Sequence, residues 1–221
     1  HIRESITFSE RTLTSAQSAG RLPLRPRAVV ICGMGGSAIG GDVVRSAFGP
    51  ELSVPVLVSR GYDLPAFATE GTLIIASSYS GNTEETLSQV EEAVRRKLPI
   101  VAITTGGALA RRAAELNIPV IEQRGGMQPR AALGYSFTPI AMVLSAVGLL
   151  PPSRDALEAA AAHLASLAAR LQPQHLGGNN PMNALAGELT GRIPVVYCAA
   201  DLEAAGLRWR GQIQENAKHM T

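Results

Sequence analysis

The sequence predicts an α/β fold, a five-stranded parallel sheet covered by helices on both faces. Three observations carry this expectation. Along the first 150 residues, short apolar runs alternate with longer segments in which apolar residues recur every three or four positions. Each short run is apolar at consecutive positions, as in strands buried on both faces of a parallel sheet. The first run opens directly into a glycine-rich turn ahead of a helix-spaced segment, Cys32 to Asp42 (CGMGGSAIGGD).

Taken in order, Ala28 to Cys32 (AVVIC) reads as the first strand. A helix follows from Ser37 to Phe48, with Ile39, Val43, Val44 and Ala47 at helical spacing. Strands are expected at Val54 to Ser59 and at Thr72 to Ala76. From Thr83 to Lys97, Thr86, Leu87, Val90 and Val94 share one helical face, and Glu84 and Glu85 fall in the first turn, where the helix dipole favours them. Pro99 to Thr104 is the next strand, Ala108 to Leu116 a helix and Ile118 to Ile121 the fifth strand.

After Phe137 the pattern turns helical, with Phe137 to Leu150 and then the Ala-rich Arg154 to Leu171 behind Pro151-Pro152. Pro173 to Pro181 reads as a Gly/Asn/Pro loop, Asn183 to Thr190 as a helix, Arg192 to Ala199 as a strand and Leu202 to His219 as a last helix. The expected organisation is an α/β subdomain over residues 1–150, then a helical connection and the start of a second α/β subdomain over 151–221. The start on His1 and the stop soon after a strand and a helix are expected of a piece of a longer chain.

Composition narrows the function. With 221 residues, 46% hydrophobic and 17% charged, the chain is long enough for one large or two modest cores. A formal charge of +2, with basic residues scattered and not interleaved with aromatics, argues against a nucleic-acid footprint. No apolar run approaches membrane-spanning length, and the expected location is the cytoplasm. Cys32 and Cys198 each end an apolar run, so buried reduced thiols are expected, not a disulfide or a metal site.

The chemistry-bearing segments follow the first and third strands. In GMGGSAIGGD the glycines allow close backbone approach, and the free N–H groups of a helix start attract anions. An oxyanion or phosphate site and a tight, closely packed turn both remain open there. The same loop fits the dinucleotide fingerprint through Gly33, Gly35 and Ala38. That rival wants an acid at the end of the second strand, where the sequence has Val58-Ser59-Arg60, although Arg60 could serve a 2′-phosphate. After the third strand comes SSYSGNTEET, Ser77 to Thr86, with more hydroxyls than a helix cap needs. In a doubly wound sheet both loops can face one crevice, where Gly35, Gly36, Ser37, Ser78, Ser80 and Thr83 would cradle a small phosphate monoester. No Walker lysine is present.

GMGGSAIGGD, SSYSGNTEET, QPRAALGYSF (Gln128 to Phe137) and RWRGQIQENAK (Arg208 to Lys218) together resemble the sugar isomerase (SIS) superfamily, and within it the bifunctional phosphoglucose/phosphomannose isomerases. The resemblance implies a cofactor-free, metal-independent aldose–ketose isomerase acting on hexose 6-phosphates, with no nucleic-acid or membrane partner, working as a homodimer. It implies that Ser37, Ser78, Ser80 and Thr83 hold the phosphate, that Arg130 steadies the enediolate and that Glu215 is the base. A ring-opening His and a Lys of the family fall beyond position 221. A non-catalytic sugar-phosphate-binding module and an NADP-binding protein are the alternatives. His219, four residues after Glu215, would share its helical face; it, His163 and His175 get structural readings.

Overall fold

The computed structural model describes residues 1–172 and 180–221, which divide into one compact unit, 1–154, and a second, 155–221. In the first unit, β1 (Ala28–Cys32), β2 (Val56–Ser59), β3 (Thr72–Ser77), β4 (Ile100–Thr104) and β5 (Val120–Glu122) pair in parallel in the order β2-β1-β3-β4-β5. Val30 lies opposite Leu57 on one side and Ile74 on the other, and Ile103 opposite Ile121. From β1 the chain winds outward to β2, then returns past β1 to β3. The loops after β1 and β3 therefore leave the same carboxyl edge side by side, where an order of 2-1-3-4-5 places its crevice.

Side-chain alternation divides the core into two layers. Val30, Cys32, Ile74, Ala76, Ile100 and Ala102 face Val90 and Ala93 of α3 (Glu84–Arg95) and Leu109 and Ala113 of α4 (Gly107–Glu115). Residues of the opposite parity meet α2 (Gly35–Phe48): a Cβ on Gly41 would lie 3.1 Å from Ile31 Cγ2. The same layer holds α5 (Leu133–Ala146), which packs on α2 and on α1 (Ile2–Ser18). Gly40 is where α2 and α5 cross, since a methyl there would fall 1.8 Å from Ser136 Oγ.

Helix α1 has no counterpart in the sequence reading. Its buried face is Ile2, Ser5, Ile6, Ser9, Leu13 and Ala16, and three of those six are Ser or Ala, so apolar periodicity is weak there. Polar bonds hold it: Ser5 Oγ donates to Gln123 Oε1 at 2.6 Å and Thr12 Oγ1 to Val120 O at 3.1 Å.

The second unit contains α6 (Arg154–Leu171, whose first residue closes the first unit), α7 (Pro181–Leu189) and α8 (Glu203–Gln212). Asn180 caps α7 by accepting the Met182 N–H at 2.9 Å, with Pro181 at the first helical position. The expected strand from Arg192 to Ala199 is not formed. The segment runs without regular structure, Ile193, Val195 and Tyr197 are 62%, 66% and 91% exposed, and no ladder partner exists among the described residues of this unit. β-propensity needs a neighbouring strand to be realised. Cys198, expected buried, is exposed for the same reason, whereas Cys32 is fully buried. The last helix also ends early: a π-type turn, Ile213–Ala217, follows α8, and Lys218 turns left-handed at φ 55°. His219 therefore lies beyond the helix and does not share a face with Glu215. Pro173 to Asn179 of the expected loop, and His175 with them, fall outside the described residues.

Candidate functional site

The site begins where β1 stops. Gly33 N–H reaches back to Ser59 O at 3.2 Å, and Met34 is extended. α2 then opens on Gly35 at φ +50°, a left-handed conformation that favours glycine. A Cβ on Gly35 would meet nothing within 4 Å, so the glycine answers the backbone angle and leaves open space before it. The N–H groups of Ser37 and Ala38 turn back to Met34 O, at 3.0 and 3.3 Å, while those of Gly35 and Gly36 find no acceptor among the described residues. The other glycines of this stretch have packing roles. Gly33 approaches the Ser77 carbonyl, Gly40 lies against Ser136, and Gly41 against Ile31 and Val58. Packing thus accounts for Gly33, Gly40 and Gly41 of this stretch, but not for Gly35.

The second wall is the turn after β3. Ser78 is buried; its Oγ accepts the Gly81 N–H at 3.1 Å and shares a hydrogen bond with Thr83 Oγ1 at 2.8 Å. Thr83 is the N-cap residue of α3, and its hydroxyl faces Ser78 instead of the helix N–H groups. Ser80 is exposed, and its Oγ accepts the Asn82 N–H at 3.2 Å. The two loops meet directly: Tyr79 N–H donates to Ser37 Oγ at 3.2 Å, which leaves the Ser37 proton for another acceptor. The starts of α2 and α3, with Ser37, Ser78, Ser80 and Thr83, are gathered at one edge of the sheet.

The QPRAALGYSF segment closes the cleft. Ala132, Tyr135 and Ser136 line it together with Gly36, Ser37 and Tyr79. Ser136 Oγ hydrogen bonds with the carbonyls of Gly36 and Ser37, at 3.1 and 3.2 Å, and so fixes the first turn of α2. Tyr135 is buried and donates to Glu4 of α1; burial first, then that bond, push its pKa up to about 12. Gln123 was not singled out from the sequence. It is buried beside the same cleft, its Oε1 accepts from Ser5, and its Nε2 has no acceptor among the described residues. Nothing local marked it, because its place depends on β5 lying next to β4. Arg130 sits half-buried in the short turn Pro129–Ala131, which packs against α2.

Glu215 is in the second unit, exposed, within the π-type turn. Burial lowers the pKa of Arg208, one of the neighbouring cations, and the Glu215 charge opposes that shift. The structure thus brings the hydroxyl residues, the glycine loop and the Arg130 turn into one unit, and describes Glu215 with the other. Arg60, the cation the dinucleotide rival would need, is ion-paired with the buried carboxylate of Asp42. Among the described residues no group of three or more His, Cys, Asp or Glu could hold a metal ion, and no helix is long and apolar enough to cross a membrane.

A SIS domain family model matches residues 24–149, and one described as bacterial phospho-glucose isomerase C-terminal SIS domain matches residues 178–221. Among curated relatives, a bifunctional phosphoglucose/phosphomannose isomerase from Caldicellulosiruptor bescii is 44% identical over 191 residues, 86% of this chain and 56% of that protein. One of the same name from Thermoplasma acidophilum is 38% identical over 190 residues, again 86% and 56%. A D-glucosamine-6-phosphate 4-epimerase from Sulfolobus acidocaldarius is 29% identical over 189 residues, 85% of this chain and 56% of that one. The chain therefore spans a little over half the length of these relatives. Of solved structures, the C-terminal domain of glucosamine-fructose-6-phosphate aminotransferase from Francisella tularensis aligns with a TM-score of 0.64 at 13% identity, over 99% of this chain and 66% of that one. Tagatose-6-phosphate ketose/aldose isomerase from Escherichia coli aligns with 0.57 at 18% identity, over 97% and 62%. At those identities the likeness is one of fold. With the domain match running over more than half its length, the chain belongs to the SIS domain family.

Proposed function

We propose that this protein takes part in aldose–ketose isomerisation of hexose 6-phosphates, converting glucose 6-phosphate and mannose 6-phosphate to fructose 6-phosphate. The observation that carries the reading is the meeting of two helix starts and four hydroxyl residues at the β1/β3 edge. Unpaired N–H groups there favour an anion without using a lysine or arginine. A phosphate held at Gly35, Gly36, Ser37, Ser80 and Thr83 leaves the sugar carbons to groups beyond the cradle; Ser78, expected among the phosphate ligands, is buried with its Oγ bonded to Gly81 N–H and Thr83 and braces the turn from within instead. In that role Glu215 as carboxylate takes the C2 proton of the open-chain aldose and returns it at C1, through a cis-enediolate, while the proton of the C2 hydroxyl passes to O1. Arg130 offsets the charge that grows on the enediolate oxygen. Neither step calls for a metal or an organic cofactor. The relatives' names favour both epimers as substrates, and the family resemblance favours a homodimer at work in the cytoplasm.

A second reading, a sugar-phosphate-binding module without catalysis, has one observation in its favour: the hydroxyl cradle is built entirely from residues of the first unit, to which Glu215 does not belong. One variant separates the two. In the native protein, Glu215→Gln is expected to lower kcat in a coupled hexose 6-phosphate assay by roughly 10²- to 10⁴-fold while phosphate affinity stays unchanged. Full activity in that variant removes Glu215 as the base. Binding of glucose 6-phosphate with no turnover by the unsubstituted protein favours the module.

A further inference from the structure

We propose that Tyr79 is a positioning residue that ties the phosphate turn to the Arg130 turn, so that filling the hydroxyl cradle tightens the loop that carries the cation. The inference rests on the phosphate reading of the cradle given above. Tyr79 lies inside the hydroxyl-rich segment, yet its own bonds all run outward to three other loops. Its N–H donates to Ser37 Oγ at 3.2 Å, at the start of α2. Its carbonyl accepts both the N–H and the Oγ1–H of Thr105, at 3.1 and 2.7 Å, beyond the end of β4. Its phenol donates to Arg124 O at 2.8 Å and accepts the Met127 N–H at 3.3 Å, beyond the end of β5.

The last pair of bonds has a specific geometry. Arg124 and Met127 flank Gly125-Gly126, where the chain bends with Gly126 at φ +89°. The Tyr79 hydroxyl bridges the Arg124 carbonyl and the Met127 N–H across that bend. The bend is therefore held by a side chain from another loop, and three residues later the chain reaches Arg130. Arg124 is tied in further by its ion pair with Glu4 at 3.7 Å, and Glu4 also accepts from Tyr135.

Binding an anion engages this route at Ser37. An anion that accepts the Ser37 hydroxyl proton makes Ser37 Oγ a better acceptor for the Tyr79 N–H, because linked hydrogen bonds polarise one another. Tyr79 is then held more firmly from its backbone, and so is the turn clasped by its phenol. Coupling of this kind is reciprocal: whatever the cradle gains from an ordered turn, the turn gains from a filled cradle.

The test is amide hydrogen exchange on the 221-residue chain and its Tyr79→Phe variant, each with and without saturating inorganic phosphate, and with glucose 6-phosphate as a second probe. In the unsubstituted protein, ligand is expected to slow exchange at Gly35 to Ser37 and Thr83 to Thr86, and also at Arg124 to Ala131. In Tyr79→Phe the cradle amides still respond, while the added protection at 124–131 falls by at least about threefold. The phosphate Kd weakens by no more than about tenfold, the size of one or two net hydrogen bonds. A merely structural tyrosine would speed exchange at 124–131 equally with and without ligand, so an unchanged ligand-dependent increment in the variant overturns the proposal. Thr105→Val, which removes one bond to Tyr79 but leaves the phenol clasp, is expected to keep the increment; its loss there also overturns the assignment to the phenol. Protection confined to the cradle in the unsubstituted protein refutes the coupling alone. Absence of protection anywhere refutes the phosphate reading and the coupling with it.

Discussion

Replacing Gly81 by Ala tests whether the hydroxyl turn is packed as described. A methyl at Gly81 would lie 1.8 Å from the Gly106 carbonyl oxygen, 2.7 Å from its carbon and 2.8 Å from Thr104 Oγ1. Ordinary contact begins at 3.4 Å, and two of these atoms are backbone, so no rotamer change relieves the overlap. Overpacking of this kind costs about 1–3 kcal/mol. Gly81 also sits at φ +69°, where a side chain adds about 1–2 kcal/mol. Moving the two loops apart strains the bonds from Leu109 N–H to Gly81 O, 2.8 Å, and from Ala108 N–H to Asn82 Oδ1, 3.0 Å. Each contributes about 1 kcal/mol net. Against these, Ala restricts the unfolded chain and returns about 0.4–1 kcal/mol. If both bonds are lost, the balance is a destabilisation of about 3–7 kcal/mol. Hydrogen exchange of the slowest amides in β3 and β4 reads this for the first unit, and a phosphate titration reads the cradle. A change under about 0.5 kcal/mol, the range of a neutral surface substitution, with undiminished phosphate binding would show that the turn does not pack on the Gly106 loop.

Two further expectations concern single groups. Cys198 is exposed, whereas Cys32 is fully buried and burial raises its thiol pKa, so an alkylating reagent should add one group to the native protein and two in urea; two adducts in the native state would contradict the β1 core. Tyr135 is raised by burial and by its bond to Glu4 to about 12, above the roughly 10 of an unfolded tyrosine. A folded-state pKa above the unfolded one means that the folded protein holds the proton more tightly. The Tyr135 contribution is therefore fully present below pH about 10 and is lost as pH rises through about 12. The stability difference between the unsubstituted protein and Tyr135→Phe, from urea midpoints, should be level to pH about 9.5 and shrink above it; a level difference up to pH 12 would refute the assignment.

Strand and helix were legible where one residue type dominated a face. The three inner strands could be read as apolar runs because the parallel sheet buries both their faces, and the edge strands β2 and β5, only partly buried, were still found with ends differing by one or two residues. α1 was not legible, because its buried face holds Ser5 and Ser9, and Ser5 finds its partner in a residue as remote as Gln123. The segment at Arg192 to Ala199 failed in the opposite sense: its apolar run predicts a strand, but a strand is a relation between two segments and no partner is present among the described residues of its unit.

The candidate site divides in the same way. The sequence by itself determined the ingredients: glycines where a helix must start tightly, a run of hydroxyls after a buried strand, and the motifs that carry the family resemblance. Those are local or compositional facts, and chain order preserves them. Only the tertiary structure decided which of them meet. The order β2-β1-β3-β4-β5 puts the turns after β1 and β3 side by side, although 42 residues separate Ser37 from Tyr79. It also made Gly40 a crossing point and Tyr79 a link among loops, roles that a single side chain cannot reveal, because packing and hydrogen bonding depend on partners that the fold alone brings within reach.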